Sequence, residues 1–105
     1  MEMLSGVFLD RAFIGACGVD VSRGATTIEP DEAAVFRAMV RQAKQVIVVA
    51  DSSKIAMVSP ALICPVADID ILVTDSGISA EALAGFKANG VQVVEIGRAS
   101  CRERV

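Results

Sequence analysis

The chain has 105 residues, 53% of them apolar and 22% charged, which is the composition of a single soluble globular domain. Its net charge of -3, with the charges scattered along the chain, argues against a nucleic-acid-binding surface. It has no long apolar run, no signal peptide and no histidine to complete a zinc site with its three cysteines, so we expect a cytoplasmic protein with reduced thiols, no metal and no cofactor.

The first half of the chain predicts a strand, a helix and a second strand. The first strand lies within residues 7–17, and a polar connection follows through residues 20–27. Pro30 suits the first turn of a helix that is expected to have Lys44 in its last turn. Residues 46–49 are Val and Ile without polar alternation, which predicts a strand covered on both faces.

The second half repeats this alternation. Two prolines leave room only for a short strand at residues 61–64, and residues 70–74 predict another buried strand. Ser79 is a suitable N-cap for a helix that Asn89 and Gly90 terminate, and residues 91–94 predict the last strand. The order predicts an α/β domain with a mostly parallel sheet and flanking helices.

Polar residues follow the central strand directly, with Asp51, Ser52, Ser53 and Lys54 in succession. Ligands of open parallel sheets bind at the carboxyl ends of the strands. Since a lysine can neutralise a phosphate and an aspartate can accept hydrogen bonds from hydroxyl groups, the pattern suits a sugar phosphate. Asp75, after the next strand, is expected to face the same crevice. The alternative is a helix start, with Asp51 or Ser52 as N-cap and Lys54 as a solvated charge.

The last ten residues differ in character from the rest of the chain. They hold three arginines without periodicity, and from near Glu95 they resemble the translation of a sequencing-adapter read-through. We therefore expect residues 1–95 to form the native part of the chain and residues 96–105 to be a non-native or disordered tail.

Five motifs together resemble the DeoR family of bacterial transcriptional repressors in order and spacing. They are residues 13–20 (FIGACGVD), 24–27 (GATT), 31–33 (DEA), 48–54 (VVADSSK) and 71–75 (ILVTD). The resemblance covers residues 4–95 and falls on the later half of the C-terminal sensor domain, closest to the branch that regulates amino-sugar catabolism. It implies a fold similar to ribose-5-phosphate isomerase and the CoA transferases.

The resemblance also implies a set of ligand-binding residues. Asp51 and Lys54 match the D-x-x-K motif that is linked to inducer response, and Ser53 matches the hydroxyl residue before the lysine. Gly15 and Gly18 match glycines whose backbone lies close to the ligand. Thr26 and Glu32 also match family positions, where a structural role is the alternative. The lysine is followed by Ile55 instead of the family's usual Phe, so the sugar stays unidentified.

The leading hypothesis is the ligand-sensing part of a DeoR-type repressor, in which a phosphorylated sugar modulates operator binding by an N-terminal helix-turn-helix outside this fragment. The full-length protein is then expected to form homo-oligomers, to contact DNA only through that domain and to bind no membrane. An alternative is a fragment of a sugar-phosphate isomerase-like enzyme that uses Asp51, Asp75 and Lys54, although no histidine is available. A third possibility is a dimerisation unit in which the two aspartates are caps.

Overall fold

The computed structural model describes residues 8–97, which form seven strands and two α-helices. In chain order these elements are β1 (Leu9–Gly15), β2 (Gly18–Asp20), β3 (Gly24–Thr27), α1 (Pro30–Gln42), β4 (Ala43–Val49), β5 (Ala61–Cys64), β6 (Ile71–Asp75), α2 (Ala80–Ala88) and β7 (Gln92–Ile96). Short 3-10 turns lie at Ser52–Lys54 and Val66–Asp68.

The strands form two sheets. Four strands make a parallel sheet in the order β1-β4-β6-β7, and three make an antiparallel sheet in the order β2-β3-β5. In the parallel sheet Ile14 lies beside Val48, which lies beside Leu72, and all three side chains are fully buried. The structure confirms the predicted mixture of helices with a mostly parallel sheet.

Both helices contribute to the core on the same face of the parallel sheet. Ala33 of α1 and Phe86 of α2 are fully buried in one cluster with Ile14, Val48 and Leu72. The strands of this sheet follow one another in space in the same order as along the chain. Since crossovers between parallel strands are right-handed, all three connections lie on one side of the sheet.

The other face of this sheet is only partly covered by residues 8–97. Phe13 of β1 is 63% exposed and Val49, at the end of β4, is 44% exposed, whereas Ile47, on the same face in the middle of β4, is only 6% exposed. The expectation that the central strand is covered on both faces therefore holds at residues 46–48 and fails at the end of the strand.

The ends of α2 confirm the predicted caps. The Ser79 hydroxyl oxygen accepts a hydrogen bond from the Ala82 N–H at 3.1 Å, which satisfies a donor of the first turn. After the helix, Gly90 adopts a φ of +82°, a left-handed conformation that glycine tolerates without a steric penalty.

The end of α1 corrects the prediction for Lys44. The helix ends at Gln42, and Ala43 already has extended backbone angles (φ -94°, ψ 143°), so the chain enters β4 without a loop. Lys44 is therefore a strand residue, and Arg41 is the basic residue in the last helical turn.

Residues 20–27 are also different from the prediction, because they contain a β-hairpin instead of a polar connection. Between β2 and β3 the Asp20 carboxylate accepts hydrogen bonds from the N–H groups of Ser22 (3.0 Å) and Arg23 (2.9 Å). Gly24 has a φ of +85°, and a side chain there would meet the Cys64 carbonyl oxygen. Local hydrogen bonds from the backbone to the Asp20 side chain thus close a tight turn. The polar composition of this segment is the reason why the sequence predicts an irregular connection.

The last strand reaches Ile96, one residue beyond the predicted end of the native part. Most of the predicted tail, residues 98–105, lies outside the described residues. Among the helices of residues 8–97, none has both the length and the apolar character that crossing a membrane requires.

Candidate functional site at the carboxyl edge of the parallel sheet

The carboxyl ends of β1, β4 and β6 lie next to one another. Backbone hydrogen bonds continue the pairing just past the strand ends, from Ala16 N–H to the Val49 carbonyl (3.3 Å) and from Ala50 N–H to the Val73 carbonyl (3.1 Å). Residues 15–18, 50–54 and 75–77, here called the carboxyl edge, therefore come together as parallel pairing requires.

Asp51 is the N-cap of the 3-10 turn Ser52–Lys54. Its Oδ1 accepts hydrogen bonds from the Ser53 N–H at 3.0 Å and from the Ser53 hydroxyl. Asp51 is exposed, and its Oδ2 accepts no hydrogen bond from residues 8–97. Asp51 therefore has the N-cap role that the sequence offered as an alternative. This role uses Oδ1, one of the two carboxylate oxygens.

Lys54 ends the same turn and is half-buried. Its backbone N–H donates to the Asp51 carbonyl at 3.0 Å. Its side-chain ammonium forms neither a hydrogen bond nor an ion pair within the described chain, and so Asp51 does not hold it by charge. The turn therefore places Asp51 and Lys54 on one short segment, and the Lys54 ammonium group has no anionic partner within residues 8–97.

Asp75 connects the loops that follow β4 and β6. Its Oδ2 accepts from the Ser52 N–H at 3.0 Å and its Oδ1 from the Gly77 N–H at 2.7 Å. The two loops are close enough that a Cβ added to Gly77 would lie 2.5 Å from Ser52 Oγ. Asp51 and Asp75 thus share the carboxyl edge as predicted, whereas no local sequence pattern predicts the contact of Asp75 with Ser52.

The two predicted glycines have different surroundings. Gly15 is exposed at the end of β1, and a Cβ built on it would have no atom within 4 Å. Gly18 is buried, and a Cβ there would lie 2.4 Å from the Met57 carbonyl oxygen and 2.8 Å from Thr26 Oγ1. Gly15 therefore faces open space, whereas Gly18 allows two segments of the chain to pack closely.

Thr26 and Glu32 hold elements together. The buried Thr26 hydroxyl donates to the Gly18 carbonyl at 3.3 Å and accepts from the Ser59 N–H at 2.9 Å. Glu32 accepts a hydrogen bond of 2.7 Å from the Thr27 hydroxyl, which joins the first turn of α1 to β3. The hydrogen bonds of both residues connect elements of the fold, which agrees with the structural role that the sequence analysis gave as the alternative.

Two grooves lie near the antiparallel sheet. One has a volume of about 490 Å³ and is lined by Arg23, Thr26, Val58, Ser59, Pro60 and Leu62. The other has a volume of about 310 Å³ and is lined by Asp20, Val21, Ile55, Ala56, Glu81, Ala82 and Gly85. Asp51 and Lys54 line neither groove, although Ile55 follows Lys54 directly. The second groove thus begins next to the carboxyl edge along the chain, at Ile55.

The described residues contain two free cysteines, Cys17 on the carboxyl edge and Cys64 in the core. Burial raises the pKa of the Cys64 thiol to about 11, the charge of Asp68 adds to this effect, and a hydrogen bond to the Ala25 backbone opposes it. The half-buried Cys17 places its sulfur 3.5 Å from Thr27 Oγ1. Within residues 8–97 no three potential metal ligands among His, Cys, Asp and Glu lie together.

Comparison with known proteins identifies a family of sensor domains. Residues 1–76 match the model of the DeoR C terminal sensor domain. The chain is 36% identical over 96 residues to a putative aga operon transcriptional repressor of Escherichia coli O157:H7, which covers 91% of this chain and 36% of that protein. It is 35% identical to the transcriptional regulator GlpR of Haloferax volcanii over 82% of this chain and 34% of that protein. It is 39% identical to the transcriptional repressor GlcR of Bacillus subtilis, over 71% of this chain and 29% of that protein.

These matches confirm the resemblance that the five motifs predicted. The chain spans about a third of the length of these three relatives. The matched family is a sensor domain and the relatives are named as regulators, which confirms a non-enzymatic domain and leaves the isomerase-like alternative without support.

Proposed function

The chain belongs to the family of DeoR C-terminal sensor domains, and we propose that its carboxyl edge binds a phosphorylated sugar. In this proposal the whole protein is a cytoplasmic repressor that binds its operator through an N-terminal helix-turn-helix and forms homo-oligomers. The sensor then has a fold similar to ribose-5-phosphate isomerase and the CoA transferases, and occupancy by the sugar changes the affinity for the operator.

The ammonium group of Lys54 carries the proposal. The residue is half-buried, stands at the carboxyl end of a central parallel strand and has no anionic partner within residues 8–97. An ammonium group without a partner can form charge-assisted hydrogen bonds with a bound phosphate. Lys54 is therefore assigned to the phosphate of the effector.

Asp51 and Ser53 are assigned to the hydroxyl groups of the sugar. The hydrogen bonds from Ser53 fix the orientation of the Asp51 carboxylate and leave its Oδ2 available as an acceptor. Gly15, whose missing side chain leaves more than 4 Å of open space, lets a ligand approach the backbone at the end of β1.

The other predicted residues are assigned to positioning. Asp75 fixes the turn after β4 by accepting from the Ser52 N–H, and Gly18 and Thr26 hold the hairpin against residues 57–59. Glu32 ties α1 to β3 through Thr27. None of these four residues needs to touch the ligand for the site to depend on it.

The regulatory effect requires different affinities in two states. A sugar phosphate that bound the operator-competent and the operator-free conformations equally would not change repression. Because three loops from different strands meet at the carboxyl edge, a small displacement of one of them would alter the contacts of a ligand that bridges them.

The experiment is a Lys54→Ala substitution in the complete regulator, with operator binding measured by fluorescence anisotropy against a panel of phosphorylated sugars. We expect the variant to bind the operator normally, and to need an effector concentration about 10- to 100-fold higher for release, because a charge-assisted hydrogen bond is lost.

Lys44→Ala is the matched control. Lys44 is an exposed lysine near the amino end of the same strand, so its removal changes the net charge equally but leaves the carboxyl edge intact. Normal release of Lys54→Ala by the effector would contradict the assignment. Turnover of a sugar phosphate by the wild type would contradict the sensor function itself.

A further inference from the structure

Ala56, two residues after Lys54, has a strained backbone conformation. Its φ is +70°, and within residues 8–97 it is the one residue other than glycine with a positive φ. A Cβ disfavours this left-handed region by roughly 5- to 30-fold relative to the right-handed one. Such strain persists only where neighbouring contacts impose it, and it is concentrated at ligand sites and switch regions. The contacts that impose it on Ala56 therefore indicate what the residue does.

The strained residue lies in a type II β-turn that begins at Lys54. The Met57 N–H donates to the Lys54 carbonyl at 3.3 Å, which closes the turn. Ile55, at the second position, has a φ of -71° and a ψ of 136°, and the third position of a type II turn requires a positive φ and is usually glycine. The Lys54 N–H donates to the Asp51 carbonyl at 3.0 Å. Lys54 thus ends one turn and begins the next, and both of its backbone groups are bonded.

A hydrogen bond to the β2–β3 hairpin keeps Ala56 in this conformation. The Ala56 N–H donates to the Val19 carbonyl at 2.7 Å, and Ile55 pairs with Val19 in a parallel bridge. Right-handed angles at Ala56 would rotate the peptide group that precedes it and turn its N–H away from Val19. A backbone hydrogen bond contributes roughly 2- to 13-fold, which is close to the strain that it offsets. The turn that begins at Lys54 is therefore held by a narrow margin.

We propose that Ala56 is a positioning residue for the effector, because its left-handed backbone fixes the turn that presents the Lys54 side chain at the carboxyl edge. Ala56 is exposed, so its methyl group adds little to the packing and the residue acts through the backbone. This inference rests on the proposed function, in which Lys54 binds the phosphate. A substitution that disfavours the turn reduces the fraction of molecules competent to bind, and the apparent affinity falls with that fraction.

Three substitutions in the complete regulator test this role. Ala56→Val places a β-branched side chain at a positive φ and disfavours the turn, whereas Ala56→Gly removes the strain and keeps the turn. Gly90→Ala is the matched control, because it introduces the same strain at a φ of +82°, before the amino end of β7 and so at the opposite edge of the sheet. We expect Ala56→Val and Gly90→Ala to lower the midpoint of thermal unfolding and Ala56→Gly to raise it.

Operator release separates a positioning role from a structural one. It is measured by fluorescence anisotropy with a panel of hexose and pentose phosphates, at a temperature where all variants are folded. Ala56→Val should require roughly 10-fold more sugar phosphate than the wild type, because fewer molecules have the competent turn. Gly90→Ala, although it is less stable than the wild type, should require the same concentration.

A second readout needs no effector. Acylation of lysines by acetic anhydride is followed by mass spectrometry of peptides, and the rate at half-buried Lys54 is divided by the rate at exposed Lys44. Ala56→Val should bring this ratio close to one, and Ala56→Gly should lower it below the wild-type ratio because the unstrained turn opens less often. Gly90→Ala should leave the ratio unchanged.

The proposal is overturned if the acylation ratio in Ala56→Val equals that of the wild type, or if Gly90→Ala raises the ratio as much as Ala56→Val does. If Ala56→Val does not fold, Ala56→Gly decides: a ratio equal to that of the wild type then contradicts the proposal. Normal operator release by Lys54→Ala would contradict the proposed function alone, since the acylation ratios still show whether Ala56 positions Lys54. Impaired release by Lys54→Ala together with normal release by Ala56→Val would contradict the role of Ala56 alone.

Discussion

Two buried threonines differ in how their hydroxyl groups are satisfied. Thr27 is 1% exposed, and its hydroxyl donates to Glu32 at 2.7 Å. Thr74 is 4% exposed, and its hydroxyl has no hydrogen-bond partner among the described residues. A buried hydroxyl without a partner loses its hydration and gains nothing in exchange, whereas a bonded one recovers that loss. The same residue type therefore has opposite effects on stability at these two positions.

We predict that Thr74→Val raises the free energy of unfolding by about 1 kcal/mol, because a methyl group of similar shape replaces the unsatisfied hydroxyl. Thr27→Val, the matched control, should lower it by about 1–3 kcal/mol, since the substitution removes the hydrogen bond to Glu32. Urea denaturation of both variants measures the difference. A loss of stability in Thr74→Val as large as that in Thr27→Val would show that the Thr74 hydroxyl has a partner.

At the scale of elements, the β2–β3 hairpin is held against the connection between β4 and β5. The Ala56 N–H donates to the Val19 carbonyl at 2.7 Å, and Thr26 accepts from the Ser59 N–H. Gly18 permits this contact, because any side chain there would collide with the Met57 backbone. The packing of two elements thus depends on one position that has no side chain.

Gly18→Ala should therefore lower the free energy of unfolding by about 1–3 kcal/mol, the usual cost of forcing extra volume into a packed contact. Gly15→Ala should leave stability unchanged or raise it by roughly 0.5 kcal/mol, because the site is open and alanine loses less conformational freedom in a strand. Thermal unfolding of the two variants compares them. Equal stability of Gly18→Ala and the wild type would mean that the hairpin and residues 57–59 move apart at little cost.

The elements that could be predicted from sequence are those with local signals. Ser79 as an N-cap, Asn89 and Gly90 as a helix end, and the short strand at 61–64 all depend on residues within a few positions of the boundary. The β2–β3 hairpin was not predicted because its strands are short and because β3 pairs with β5, which is more than thirty residues away. Lys44 was misplaced because helix and strand meet without a breaker residue.

The candidate site could also be predicted only in part from the sequence. Parallel topology alone places Asp51 and Asp75 at the same edge, and the structure shows them there. The bond from Ser52 N–H to Asp75 joins residues 23 apart, and it depends on how closely two loops approach. No local pattern encodes that approach, so the sequence indicated which strand ends meet but not which oxygen atoms remain available to a ligand.

At the scale of the whole molecule, stability is expected to depend on pH through Cys64. The thiol is 2% exposed, and burial raises its pKa from 9.0 to about 11. Between these values the unfolded chain releases the thiol proton while the folded chain keeps it. The folded state then binds more protons, so the free energy of unfolding falls as the pH rises. This contribution is fully present below pH 9 and is lost as the pH approaches 11.

We predict that urea denaturation at pH 8 and at pH 10.5 shows a decrease in stability, of which Cys64 accounts for on the order of 2 kcal/mol. The chain has no tyrosine, so thiols and lysines are the other side chains that titrate in this range. Cys64→Ala should reduce the decrease between the two pH values even though it lowers stability at both. Cys17→Ala, which removes a half-buried thiol, is the control with which the Cys64→Ala variant is compared. If Cys64→Ala retains the full decrease, the titrating group is elsewhere and the Cys64 thiol is not protected by burial.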